Sequence, residues 1–222
     1  MAALEREVRP LIRDWRVSDN EHDGRRFRFF EKDAAALVCG GIGAEAARRA
    51  AEAIIVLYRP TTLYSVGYAG ALEPGLKVGG LIHPSRLIDV RDGSSVQLGG
   101  ENGVLLTNPA VASREQKRKL CESYGAQTVD MEAAAVARAA QARGITFGLV
   151  KVISDEVDFE MPSTDRFVDG EGRFSEIGFA LYAAVRPWLW PKVMQLARNS
   201  RRATQALCEE LQKVVTRSGQ QA

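Results

Sequence analysis

From Ala3 to Trp15 the apolar residues Leu4, Val8, Leu11 and Ile12 recur at helical spacing and predict an amphipathic helix. "RRFRFFEKD" and "AAALVCGGIG" follow as a hairpin or as two successive strands. "GAEAARRAAEAIIVLY" is rich in alanine, places apolar residues every three or four positions and stops before Pro60, which predicts a strong helix. "TLYSVGYAGAL" reads as a buried strand ending in glycines, and "VGGLIHPSRLIDV", "SSVQL" and "GVLLT" add further strands. "SREQKRKLCESYG" is a helix with Ser113 at its N-cap and Gly125 at its close. "QTVDM" is a strand, "EAAAVARAAQARG" a helix closed by Gly144, and "ITFGLVKVISDEVD" the longest apolar strand. Beyond the punctuated stretch "FEMPSTDRFVDGEG", helices are expected at roughly 174–185 and 190–215, with the tail "TRSGQQA" frayed.

Strands alternate with helices, and several strands are apolar on both faces. That pattern belongs to an α/β sandwich whose parallel or mixed sheet is covered on both sides. Ligands in such folds sit beyond the carboxyl ends of the strands. The stretches to inspect are therefore 39–43, 66–72, 107–113, 129–132 and 153–158.

Composition narrows the classes. The 222 residues are 45% hydrophobic and 26% charged, enough for one core in a single domain spanning 1–222. A net charge of +2 gives no electrostatic reason to expect a nucleic-acid partner. Basic residues gather late, at Lys192, Arg198, Arg201, Arg202, Lys213 and Arg217, as expected of a solvated helix face. Cys39, Cys121 and Cys208 match no metal or disulfide spacing and suit a reducing cytoplasm. No apolar run approaches the ~20 residues of a membrane span. "MAALEREVRPLIRDW" is charged throughout, unlike a signal peptide, so a cytoplasmic location is expected. His22 and His83 stand alone, which argues against a histidine-based metal site; no metal or cofactor is expected.

Among the strand-end motifs, "GGIGAEA" holds Gly41-x-Gly43-x-x-Ala46, a variant of the dinucleotide fingerprint. The acid that this fingerprint wants about 20 residues on is missing from "PTTLYSVGYAG", so a tight turn is the better reading. "VGYAGAL" sets Gly67 and Gly70 around Tyr68, as a turn or a ligand contact. In "ISDEVD", Glu156 and Asp158 belong to a solvated loop, whereas Asp155 follows the apolar run and belongs at the strand mouth. In "VDMEAAA", Asp130 is a good N-cap, and Glu132 falls in the first turn, where negative charge is favoured.

Taken in order and at these separations, "GGIGAEAARRA", "VGYAGALEPGLKVGGLI", "VDMEAAAVARAA" and "VKVISDEVD" resemble the nucleoside phosphorylase and nucleosidase superfamily, above all its methylthioadenosine/S-adenosylhomocysteine nucleosidase branch. The resemblance runs from about Ala3 to Arg186. The helical extension from about 187 looks more like bacterial relatives associated with hopanoid lipid synthesis. The resemblance implies a three-layer α/β/α sandwich with a mixed central sheet. It also implies cleavage of the N-glycosidic bond of a purine nucleoside. Asp155, beside Ser154, matches the aspartate that protonates or hydrogen-bonds the purine N7 and favours an adenine-type base. Met131 and Glu132 match the pair that packs under the sugar and accepts hydrogen bonds from its hydroxyls. Glu7 in "ALEREV" maps to the glutamate that deprotonates the attacking water. Ile42 falls near the 5′ substituent, Val111 in the stretch lining the base, and Phe159 or Phe167 at the mouth of the 5′ pocket.

The chain departs from the family at three points. It starts at Met1 without the apolar strand that precedes the "ALEREV"-like segment, which is expected to leave strand edges open and Glu7 weakly held. Tyr68 stands where the family has a serine that binds phosphate in the phosphorylases. Lys151 replaces an arginine, keeping the charge and losing the planar fork. The leading expectation is hydrolysis of a 5′-substituted adenosine by water. The alternatives are a phosphate-dependent phosphorylase, acting on an adenosine with a large apolar, hopanoid-like 5′ group, and a non-catalytic nucleoside-binding protein. A homo-oligomer, with a dimer favoured, is the implied assembly.

Overall fold

The computed structural model describes residues 1–162 and 165–221. Strands β1 (Arg16–His22), β2 (Arg25–Lys32) and β3 (Ala35–Val38) form a small antiparallel sheet. The β2–β3 hairpin pairs Phe30 with Leu37, as the sequence pattern suggests. β1 escapes that pattern because its residues, "RVSDNEH", are mostly polar and about half of them face solvent. Its legible signal is the turn that follows: Asp23 and Gly24 both have positive φ, the conformation a two-residue hairpin turn needs.

The main sheet comprises β4 (Thr62–Ala71), β5 (Leu81–Ile82), β6 (Arg86–Asp89), β7 (Ser95–Gln97), β8 (Val104–Thr107), β9 (Thr128–Asp130) and β10 (Thr146–Asp155), in the order β5-β10-β4-β9-β8-β6-β7. Pairing is parallel for β10–β4, β6–β8 and β8–β9, and antiparallel for β4–β9, β5–β10 and β6–β7, so the sheet is mixed. Helices α1 (Glu5–Ile12) and α6 (Trp190–Gln221) cover one face; α2 (Ala44–Tyr58) and α4 (Ala133–Gln141) cover the other. α3 (Arg114–Tyr124) starts with a capping box in which Ser113 and Gln116 satisfy each other's backbone amides. α5 (Glu176–Ala184) lies against the start of α6.

The C-terminal segment is part of the core. Ala203, Leu207, Leu211 and Val215 of α6 pack with Val8, Leu11 and Ile12 of α1 on Val66, Val150 and Val152 of the sheet. Burying each large aliphatic side chain there contributes about 1.5–3 kcal/mol. α6 continues to Gln221, so the tail expected to fray is helical. The basic residues Lys192, Arg198, Arg201, Arg202, Lys213 and Arg217 are all exposed on its outer face.

Residues 1–3 lie between the two sheets. Ala2 bridges in parallel to both Cys39 and Val66; the Met1 ammonium donates to the Tyr64 carbonyl at 2.8 Å, and Ala2 N donates to Val38 O at 2.9 Å. The edges expected to stand open are thus partly paired, and α1, which follows directly, is held against β4 and α6.

Candidate active site

At the carboxyl ends of β4 and β10, a cavity of about 210 Å³ opens between the sheet, α1, α5 and α6. Nine residues singled out from the sequence line it: Glu7, Ile42, Tyr68, Gly70, Val111, Met131, Glu132, Ser154 and Asp155. A bulge at the end of β10 places two consecutive residues there. Ile153 pairs with Ala69 and Asp155 with Gly70, so Ser154 is the extra residue. Bulges re-aim side chains next to active sites in this way. Gly70 leaves room for the result, since a Cβ there would lie 3.0 Å from Asp155 Oδ2.

Asp155 is buried, and both carboxylate oxygens are held. Ser154 Oγ donates to Oδ1 at 2.6 Å, and the Lys117 ammonium forms an ion pair with Oδ2. Lys117 also donates to Glu156 O at 2.9 Å. Lys117 is the main site residue that sequence reasoning missed. It sits in "REQKRKL", a charged helix whose other lysine and arginines are solvated, and only packing shows which of these cations turns inward.

A second cluster forms around Lys151, buried on β10 between β5 and β4. Its Nζ lies 2.8 Å from Asp130 Oδ2 and 3.8 Å from Glu132 Oε2. Burial would lower the lysine's pKa, but Asp130, Glu132 and Glu7 outweigh it and raise it. Asp130 also accepts from Thr107 Oγ1 at 2.7 Å and from Ala133 N at 2.9 Å, so it caps α4. Glu132 is the N-cap residue by position, not a first-turn residue, and its side chain turns away from its own helix. Its Oε1 instead accepts from Gly43 N at 2.8 Å, at the start of α2. The glycine-rich turn "GGIG" therefore commits that amide to a protein carboxylate. Burial, opposed by Lys151 and reinforced by Asp130, pushes the Glu132 pKa up. Lys151→Met would leave the Asp130 and Glu132 charges buried without their cation. It should cost about 3–5 kcal/mol, read as a lower urea midpoint with an unchanged slope.

Glu7 completes the constellation from α1. Its carboxyl is buried, and Oε2 has no hydrogen-bond partner among the described residues. Burial, then the nearby Glu132 charge, push its pKa from 4.5 up to about 8. Gly67 makes space for this oxygen: φ is +140°, and a Cβ would come within 2.7 Å of Oε2.

Tyr68 lines the cavity with its ring, while its hydroxyl is engaged by α6, 3.2 Å from Ser200 O and 2.6 Å from Thr204 Oγ1. The apolar wall comes from Met161, Phe174, Phe179 and Leu196. Phe159 and Phe167, the aromatics proposed from the sequence for the 5′ pocket, do not line the cavity. Phe159 faces the neighbouring cleft and Phe167 packs edge-on against Phe179 and Tyr182. The loop holding them follows no periodic pattern, so the sequence could not tell which of several phenylalanines turns inward.

The family model described as "Phosphorylase superfamily" matches residues 1–115 and 104–185. The chain belongs to the phosphorylase superfamily. No relative among the curated proteins matches its sequence. Solved structures do match its fold. Futalosine hydrolase of Helicobacter pylori is 17% identical with a TM-score of 0.70, over 97% of this chain and 95% of that one. The 5′-methylthioadenosine/S-adenosylhomocysteine nucleosidase of the same species, complexed with a substituted pyrrolidinol, is 16% identical with a TM-score of 0.70, over 97% and 96%. The apo 5′-methylthioadenosine nucleosidase of Arabidopsis thaliana is 18% identical with a TM-score of 0.72, over 98% and 93%. At these identities the likeness establishes the fold: helices on both sides of a mixed sheet.

Proposed function

We propose that this superfamily member hydrolyses the N-glycosidic bond of a purine nucleoside, with an adenosine-type base. The observation that carries the proposal is Glu7: a buried carboxyl with one unpartnered oxygen among the described residues and a pKa raised to about 8, in the same cavity as Asp155 and Glu132. A general base works best when its pKa lies close to the working pH. Glu7 takes a proton from water, whose oxygen bonds to the anomeric carbon as the carbon–nitrogen bond breaks. The electron pair of that bond moves onto the purine, and a proton passes from the Lys117–Asp155 pair to N7. The products are the free sugar and the neutral base. The buried Lys117 ammonium also offsets the negative charge developing on the leaving base. Glu132, an acceptor beside Met131, suits the sugar hydroxyls. Met161, Phe174, Phe179 and Leu196 suit an apolar 5′ substituent.

A phosphate-dependent reaction needs a cation or donor free for an anion. Lys117, which lines the cavity, and Lys151 behind it are both paired with carboxylates, Arg6 on the cavity wall lies over the Phe174 ring and 3.7 Å from Glu176, and the Tyr68 hydroxyl is committed to α6. These pairings favour water. The test is adenine release from 5′-methylthioadenosine and from adenosine, with and without phosphate. Release at the same rate in both buffers is expected; release only with phosphate overturns the hydrolytic reading in favour of the phosphorylase.

A further inference from the structure

We propose that the face built by α5, the turn after it and the start of α6 docks on an anionic lipid surface. Ile177, Leu181, Val185, Trp188, Trp190 and Met194 all lie here, each 51–77% exposed. The remaining large exposed apolar residues among those described, Val17, Val56, Leu57 and Leu81, are scattered over other elements. Ile177, Leu181 and Val185 follow at four-residue spacing along α5 and its C-cap, and Trp190 and Met194 repeat that spacing on α6, so each helix carries a stripe. The opposite sides of both helices are already used: Phe179 and Leu196 line the cavity, and Ala183 is buried.

Charge selects the occupant. Between Glu176 and Arg202 the chain carries Arg186, Lys192, Arg198, Arg201 and Arg202 against the single acid Glu176. Glu176 lies 3.7 Å from Arg6, and Lys192 lies 3.8 Å from Glu160. Arg186 stacks on Tyr182, and Arg198, Arg201 and Arg202 have no ion-pair partner among the described residues. Glu156, Asp158 and Glu160 share a cleft with Lys192, Arg198 and Arg202 but already pair with Lys77, Arg114 and Lys192, so a second copy of the chain, docked through this face, would bring two net-cationic sets together, which opposes association. A nucleic acid would satisfy the cations, but four of the six apolar residues are aliphatic and offer hydrocarbon rather than a stacking platform. Aliphatic stripes, two tryptophans and flanking cations are what an amphipathic surface presents to the headgroup and acyl boundary of an anionic bilayer. No helix among the described residues is long and apolar enough to cross a membrane, so this is contact in the plane of the interface. Because the same helices wall the cavity, a substrate with an apolar tail has a route into the site from the lipid side. That consequence rests on the nucleosidase reading; the docking itself does not.

The test is co-sedimentation of the full chain with extruded vesicles of phosphatidylglycerol and phosphatidylcholine, against phosphatidylcholine alone, while following tryptophan emission. Binding to the anionic vesicles with a blue shift, weakened by salt, is expected. The double variant Trp188→Ser/Trp190→Ser should lower partitioning by on the order of tenfold or more. Lys192→Glu/Arg198→Glu should remove the preference for anionic lipid, with circular dichroism confirming that both variants fold. Three results would each overturn the proposal. One is no binding to anionic vesicles. The second is a dimer in light scattering that the tryptophan variant converts to monomer while vesicle binding stays unchanged. The third is tighter binding to a single-stranded oligonucleotide than to vesicles in the same salt.

Discussion

Asp155→Asn should lower base release by about 10²–10⁴-fold, the range general acid catalysis supplies, if the proposed hydrolysis is right. The amide keeps the shape but cannot pass a proton to N7. It also removes the carboxylate that neutralises Lys117 in a buried pair. Breaking such a pair from one side costs about 3–5 kcal/mol, because an unpaired ammonium is left behind. Glu156 O still accepts from Lys117, so the loss should sit at the lower end. Stability and catalysis separate in the double variant Asp155→Asn/Lys117→Met. Removing both charges restores the urea midpoint, and turnover stays low. Single-turnover adenine release together with urea unfolding reads both quantities. Turnover of Asp155→Asn within a few-fold of the parent would remove Asp155 from the acid role. A double variant that regained activity would show that the single substitution had failed through the fold.

Glu7→Gln has the second large effect, and its two consequences run in opposite directions. The folded pKa of Glu7 is about 8 against an ordinary 4.5. Between these values the unfolded chain has released a proton that the folded chain retains. Stability contributed by this group is therefore full below about pH 4.5 and falls as the pH rises to about 8, by a few kcal/mol. The carboxamide of the variant carries no such proton. At pH 8 the variant should be more stable than the parent, and at pH 4 the two should melt alike. Activity changes the other way. The base form of Glu7 grows as pH rises, so the parent's kcat/KM climbs toward a plateau above pH 8, whereas the variant loses that limb and about 10²–10⁴-fold of rate. Thermal melts at pH 4 and pH 8 beside a pH–rate profile check both. A variant that kept the alkaline limb would place the base elsewhere. On the proposed function, the destabilised carboxyl is a cost in stability of the kind that functional sites retain.

Much of the arrangement was legible in the chain because it depends on local pattern. Helical spacing marked α1, α2 and α4, the Ser113 and Gly125 caps marked α3, and the apolar run before Asp155 marked the strand whose mouth carries it. A residue that ends a doubly buried strand has only the sheet edge to occupy, which is why Asp155 could be placed at a strand mouth before the fold was in view; the site roles of Ser154, Met131 and Glu132 came from the family resemblance. β1 was not legible, because a strand on a small solvent-facing sheet buries little and so carries no apolar alternation.

The sequence by itself determined most of the elements, the α/β alternation and the strand ends that carry Asp155 and Glu132, since each follows from periodicity or from position at a strand end. Only the tertiary structure decided their electrostatic state. Lys117, 38 residues before Asp155, becomes its counter-ion only when α3 folds over the end of β10. Glu7 acquires a pKa of about 8 from burial first and then from Glu132, 125 residues away in the chain. Burial and pairing between distant segments are properties of the packed molecule. No local pattern encodes which lysine of a charged helix turns inward, or which glutamate is left without a partner.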